Sequence, residues 1–426
     1  MTAIQQTLQK ALQCHQSGRF AEARSLYEQV LAVQPEQPDA LHFLGMLCHQ
    51  TGSSVDAVPL LKRSLAASPG NHIFLSNAGT VYLALGDRPG AIAAFEAARA
   101  AKPGFAEAHF HLGKAYLEEG LVEEAIASHR KSVALKPDFA PSYNGLGSAY
   151  IAAGKINEAI ACFRRAQSIR PGQAEVLTNL GIALERAGRG HEAPDLFRQA
   201  IASDPNFANA HSALGLSLWR MSNFLAGRAC FERAVALAPA NAQYQASLGV
   251  AYAMEGRMLD AEICLRRSLE ISPNENVMRR LALLLPCIMG STEEILASRE
   301  KFERNLDQLI LDQVPSPEPE MLLFTSNFYL AFHGLDNKHL QQKLARYFLQ
   351  ACPALHYAAP HCKANSKAAA GRLKVGFYSR FVYEHSVTKC FGRVPSHCAG
   401  SPERWCEYRP IFCRRAMLSP LWNSMS

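Results

Sequence analysis

Asn77, Asn144 and Asn179 are the side chains whose type and spacing could act on a polypeptide. An amide donates and accepts at once, so amides placed on successive helices can hydrogen-bond a peptide backbone whatever its sequence. His111 stands in the same column as Asn77 and Asn179, and Lys114 and Arg186 add positive charge nearby. These six are the candidate peptide-contacting residues. Chemistry of other kinds finds little support. The sequence has no paired carboxylates, metal-ligand spacing, phosphate loop or nucleophile elbow, so no metal or cofactor is expected. Its twelve cysteines include no CxxC pair, which argues against a zinc knuckle or a thioredoxin-like site and for reduced thiols.

The elements that must position these residues are set by a repeat. Prolines stand at Pro35, Pro69, Pro103, Pro137, Pro171, Pro205, Pro239 and Pro273, always thirty-four residues apart. In step with them run Gly18, Gly52, Gly86, Gly120, Gly154, Gly188 and Gly256, broken only by Ser222. A second glycine column holds Gly45, Gly79, Gly113, Gly147, Gly181, Gly215 and Gly249, with Ala11 in the first unit. Small residues recur at Ala23, Ala57, Ala91, Ala125, Ala159, Ala193, Gly227 and Ala261. The first glycine column permits the tight turn that folds one helix back on the next, and each proline ends the second helix. The other two columns are small because the two helices approach closely there. Tyr82, Tyr116, Tyr150 and Tyr252, with Tyr27, Phe95, Phe163, Phe197 and Phe231, fill the remaining space as core.

This helix–turn–helix grammar over about Ile4 to Asn274 resembles the tetratricopeptide-repeat (TPR) family, with repeats one and seven departing most from its pattern. The resemblance implies an all-α fold, a right-handed superhelical solenoid of eight repeats over residues 1–274, whose concave groove is lined by the first helix of each repeat and holds a protein or extended peptide. Three first-helix columns are expected to face that groove, among them Leu8, His42, Ser76, Phe110, Asn144, Thr178, Ser212 and Ala246. Protein O-GlcNAc transferases resemble this arrangement, with an asparagine ladder along the inner face. Chaperone-binding TPR domains instead clamp a C-terminal carboxylate with a cluster of Lys, Asn and Arg, and Lys114 has no such company.

Past Pro273 the period fails. Asn276 to Ile288 is strongly apolar, a charged helix is expected over Thr292 to Leu311, and Met321 to Gln350 again reads as helical. Arg372 to Val387 (RLKVGFYSRFVYEHSV) opens like a buried strand. From Phe328 to Val387 the order resembles the region that joins the repeats to the catalytic domain in bacterial relatives of O-GlcNAc transferase and in the SPINDLY family. By that resemblance residues 275–370 are a helical linker region, residues 371–426 a truncated α/β glycosyltransferase-like fragment, and His385 the catalytic residue. A histidine suits proton handling because its ordinary pKa lies near neutrality. Beyond Val387 the remaining residues hold Cys390, Cys398, Cys406 and Cys413 and no lobe able to bind a nucleotide sugar. The expectation is a substrate-recognition array that is catalytically incomplete. The alternative is a stand-alone interaction scaffold.

The net charge of +7 falls almost wholly after Gly371. A near-neutral array argues against nucleic acid as partner. The N-terminus shows no signal-peptide pattern and no apolar run reaches the length of a membrane span, so a cytoplasmic protein is expected. Self-association of the array is a further candidate interaction.

Overall fold

The computed structural model describes residues 2–286, 289–315, 333 and 335–352. Among them are nineteen α-helices and no strand. The chain divides into two compact units, Met1–Ile288 and Met289–Ser426.

The first unit is eight helix pairs. They are α1 (Ala3–Gln16) with α2 (Phe20–Val33), α3 (Pro38–Gln50) with α4 (Ser54–Ala67), α5 (His72–Ala84) with α6 (Arg88–Ala101), and α7 (Ala106–Glu118) with α8 (Val122–Leu135). Then follow α9 (Ala140–Ala152) with α10 (Ile156–Ile169), α11 (Ala174–Arg186) with α12 (Ala193–Ser203), α13 (Ala208–Arg220) with α14 (Phe224–Leu237), and α15 (Ala242–Met254) with α16 (Met258–Ile271). A short helix, α17 (Glu275–Ala282), closes the stack. Its Val277 packs with Ala246 and Leu265, while Leu283 and Leu285 beyond it are buried.

Local chemistry explains each boundary. The turn glycines Gly18, Gly52, Gly86, Gly120, Gly154, Gly188 and Gly256 all have positive φ, between 72° and 90°, where a Cβ is costly. Ser222 occupies the same place in repeat seven and takes φ 61°. Asn71, Asp87, Asn223 and Asn241 accept backbone N–H bonds at helix starts. The prolines sit just beyond the second helices, which therefore stop before them.

The core of each pair is a seam. A Cβ placed on Gly79, Gly147, Gly181 or Gly215 would lie 2.4–2.7 Å from the ring of Phe95, Phe163, Phe197 or Phe231. The glycine is thus the seat of a ring carried by the second helix. Leu61 and Leu265 occupy the same position opposite Gly45 and Gly249. Repeat four differs, because His129 fills that position opposite Gly113. Three serines tie the end of a second helix to the start of its first: Ser64, Ser132 and Ser268 donate to the carbonyls of Pro38, Ala106 and Ala242.

Repeat six also departs from the pattern. Its second helix begins at Ala193 although the register places a start at Gly190. Pro194 stands at the second position of this shortened helix, where its missing N–H leaves no helical bond unmade, whereas Pro59 is held inside α4.

In the second unit α18 (Thr292–Leu311), at the bounds its charge pattern predicts, packs on α19 (Lys338–Ala351). Phe302, Leu306 and Leu309 are buried, as are Leu340, Leu344 and Tyr347. Lys343 bridges Glu303 and Asp307, and both carboxylates hold its pKa above the usual lysine value. The strand expected from Arg372, the glycosyltransferase-like fragment of residues 371–426 and His385 all lie outside the described residues. So does the stretch of the predicted helical segment from Met321 to residue 332.

Candidate functional site

The first helices of neighbouring repeats pack directly on one another: α1 on α3, α3 on α5, α5 on α7, and so on to α13. They form one continuous face. A helix has about 3.6 residues per turn, so each step of one residue rotates a side chain by about 100°. Columns one residue apart therefore have quite different surroundings, and the candidate residues divide accordingly.

Asn77, His111 and Asn179 share a half-buried column on this face. The Nδ2 of Asn77 donates to His42 Nε2 at 3.0 Å, and the Nδ2 of Asn179 donates to Asn144 Oδ1 at 3.0 Å. No bond within the described residues occupies the Oδ1 of Asn77 or Asn179. His111 stacks on Phe95, with centroids 5.1 Å apart and rings 8° from parallel. Burial, aided by Lys114, pushes its pKa down to about 4, so the ring is neutral at ordinary pH.

Asn144 stands one residue away, and its column is turned into the stack. His42, Ser76, Asn144, Thr178, Ser212 and Ala246 are all buried, not open to the groove. This corrects the expectation for these six members of the column, which the rotation of one residue carries between neighbouring first helices, while Leu8 and Phe110 stay half-buried. The amide of Asn144 is engaged on both sides, accepting from Asn179 and donating to Glu175 Oε1 at 3.0 Å. Its place is therefore beneath the face, where it holds Asn179. His42 does the same for Asn77, stacked on Phe74 at 4.0 Å and pushed by burial to a pKa of about 4.

Lys114 and Arg186 are exposed and form no ion pair within the described residues. Arg220, one repeat beyond Arg186, is held by Glu185 at 2.5 Å.

Three features escape a reading of the columns one by one. Polar pairs thirty-five residues apart link successive first helices: His15 with Gln50, His42 with Asn77, Asn144 with Asn179, and Glu185 with Arg220. The signal is a polar residue one place further along in the next repeat. Second, the column of Lys114 and Ser148 continues as Ile182, Leu216 and Val250, a run of accessible apolar residues. Third, His129 is fully buried, neither ring nitrogen has a hydrogen-bond partner, and burial pushes its pKa down to about 4. The signal was a lone histidine where the other seven repeats carry Tyr, Leu or Phe.

Among the described residues no group of three or more His, Cys, Asp and Glu is placed to hold a metal ion, and no helix is long and apolar enough to cross a membrane. Free thiols at Cys14, Cys48, Cys264 and Cys352 are buried.

Comparison with known proteins gives the same architecture. Family models described as tetratricopeptide repeat match residues 16–72, 77–138 and 212–276, and a second match covers 138–206. The chain is similar to the crystal structure of the APC/C hetero-tetramer Cut9–Hcn1, at 18% identity and a TM-score of 0.52. That match covers 65% of this chain and 55% of the other, so this chain spans little more than half of that structure's length. It is also similar to a tetratricopeptide-repeat protein from Parabacteroides merdae ATCC 43184, at 15% identity and a TM-score of 0.50, covering 58% of this chain and 98% of that one. At these identities the likeness concerns the fold. No curated protein matches the chain. Together the matched segments make up more than half of the sequence, and the chain belongs to the tetratricopeptide-repeat family.

Proposed function

We propose that this tetratricopeptide-repeat chain is a scaffold whose first-helix face grips an extended segment of a partner protein. The observation that supports this most is the pair of amides at Asn77 and Asn179. Each is oriented by a residue of the preceding first helix, His42 or Asn144, and each keeps its oxygen free on the face. A carbonyl oxygen held in this way suits a peptide N–H, which every residue but proline supplies. Lys114 and Arg186 sit on the same face as unpaired cations, ready for carboxylates of the partner.

The test is binding of the intact chain to a library of unstructured peptides, followed by the double substitution of Asn77 and Asn179 by Ala. Loss of about 1–3 kcal/mol in binding is expected from removing two peptide hydrogen bonds. The variant should still fold by circular dichroism and melt somewhat lower, because His42 Nε2 and Asn144 Oδ1 lose their partners. Undiminished binding by the double variant contradicts the role given to the amides.

A finer reading makes this array the substrate-recognition part of a protein glycosyltransferase of the O-GlcNAc transferase type, without a complete catalytic domain. Its support is the sequence order from Phe328 to Val387 and the place of His385 in it. On this reading the chain binds acceptor peptides but does not turn over UDP-GlcNAc. Release of UDP by the purified chain, abolished by His385→Ala, would overturn the incomplete-enzyme reading. Failure to retain any acceptor peptide would favour the stand-alone scaffold.

A further inference from the structure

In each pair one side chain of the second helix crosses the seam to the first, and in repeat four that side chain is His129. Its counterpart in repeat three, Phe95, reaches past Gly79 and stacks on His111 of the next repeat. His129 meets no such side chain, because the matching residue of repeat five is Gly145. A Cβ on Gly145 would lie 2.4 Å from the imidazole, and one on Gly113 would lie 2.6 Å from it. The ring is therefore clasped between the backbones of α7 and α9. It is fully buried, and neither nitrogen has a hydrogen-bond partner. The ring of Phe110 lies 5.8 Å away, centroid to centroid.

No charge is placed to hold a proton on this ring. α9 (Ala140–Ala152) carries no acidic or basic side chain, and its Tyr150 accepts from Arg130 Nε. On α7, Glu107 is bound by Lys136, and His109 meets the carbonyl of Pro103. His111 lies on Phe95, and Tyr116 donates to Glu96. Lys114 and Glu118 of α7 are exposed, as are Glu123, Glu124, Arg130 and Lys131 of α8. Burial is accordingly the cause that acts on His129, and it pushes the pKa down to about 4. An imidazolium in this seat would be a buried cation with two N–H donors and no acceptor. It gains its water only if the seat opens.

We propose that the contact of α8 with α7 and α9 is an acid-sensitive joint in the array, at which a proton taken up by His129 parts repeat four from repeat five. The leucine and phenylalanine side chains at the same place in other repeats take no proton, so acid leaves their seams closed. Contacts in a stacked array run between nearest neighbours, which lets one joint open while the rest hold. Asn77 and Lys114 lie on one side of this joint and Asn179 and Arg186 on the other. The joint needs no bound partner, and the proposal stands apart from the reading of the first-helix face as a polypeptide site.

Hydrogen–deuterium exchange of the intact chain at about pH 7.5 and about pH 5, corrected for the pH dependence of exchange itself, reads the opening. With a pKa of about 4 in the closed seat and 6.5 in water, opening is about thirtyfold more favoured at the lower pH. Protection of α8 and α9 should therefore fall about thirtyfold more in the unsubstituted chain than in His129→Phe or His129→Leu. Both variants carry a side chain that other repeats seat at this place. His42 titrates in repeats two and three, and His109 and His111 titrate on α7. All three remain in the variants, so their share is common to every chain compared.

An equal fall of protection in the unsubstituted chain and both variants overturns the inference. So does a difference spread evenly over the eight repeats, which is the mark of a proton acting on unfolding of the whole array. A difference centred on α7, α8 and α9 is the result expected of a joint.

Discussion

In the seam, Gly79, Gly147, Gly181 and Gly215 each seat one phenylalanine ring of the second helix, and the arrangement recurs with little change from repeat to repeat. On the first-helix face the column Lys114, Ser148, Ile182, Leu216 and Val250 changes chemistry as it passes along the array. Both regions have the same period and are built by the same helices. A residue in the seam has its size dictated by a neighbour a few ångströms away, whereas a residue on the face meets solvent or a partner. Repetition therefore marks what holds the helices together, and variation marks what a partner can read.

The largest effect that could break this contrast is Phe163→Ala. Emptying a fully buried seat should cost about 3–5 kcal/mol, read from the urea midpoint, and in a stack of nearest-neighbour contacts the loss should centre on repeats four to six. A loss below about 1 kcal/mol would mean that the seam does not carry the pair.

His129→Phe sharpens the same point from the opposite side. The histidine leaves two buried nitrogens unpartnered where other repeats place a hydrocarbon, so the substitution should stabilise by about 1–3 kcal/mol at neutral pH. The sign with pH follows from the lowered pKa. The folded state keeps the ring neutral down to about 4, whereas the unfolded chain protonates near 6.5. Stability from this group is fully present above pH 6.5 and is lost as pH falls from there towards 4. The fall should be shallower in the phenylalanine variant. Identical pH profiles for the two chains would show that His129 does not titrate as its burial requires.

Ser222→Gly removes a side chain from a left-handed turn and should raise stability by about 0.5–1 kcal/mol, measured by thermal melting. Arg186→Ala should change stability by less than about 0.5 kcal/mol, since the guanidinium makes no ion pair within the described residues, while weakening acidic peptides. A larger stability change would move Arg186 from the face to the fold.

The seam was legible in the sequence because sterics admit few residue types: glycine where φ is positive or a ring must sit, proline where a helix stops. The lengths and ends of the helices followed, including α18 at Thr292–Leu311. Repeat six was less legible. The glycine and proline columns continue through it, yet α12 starts only at Ala193, with Pro194, a residue outside those columns, at its second position. The face was legible only in outline. Asn77, His111, Lys114, Asn179 and Arg186 do lie on the first helices at half-buried or exposed positions. Asn144 does not stay open, because one residue is a rotation of about 100° and its partners, Glu175 and Asn179, sit in the next repeat. Such bonds across thirty-five residues follow from the stacking of neighbouring repeats, and a column-by-column comparison at thirty-four passes over them.

Hydrogen–deuterium exchange of the intact chain, with and without an unstructured peptide that it binds, tests the central claim most directly. Added protection confined to first helices, foremost α5, α7 and α11, which carry Asn77, Lys114, Asn179 and Arg186, is the result predicted for a ligand lying along their shared face. Protection concentrated on second helices such as α8, α12 and α14, with the first helices unchanged, would contradict it.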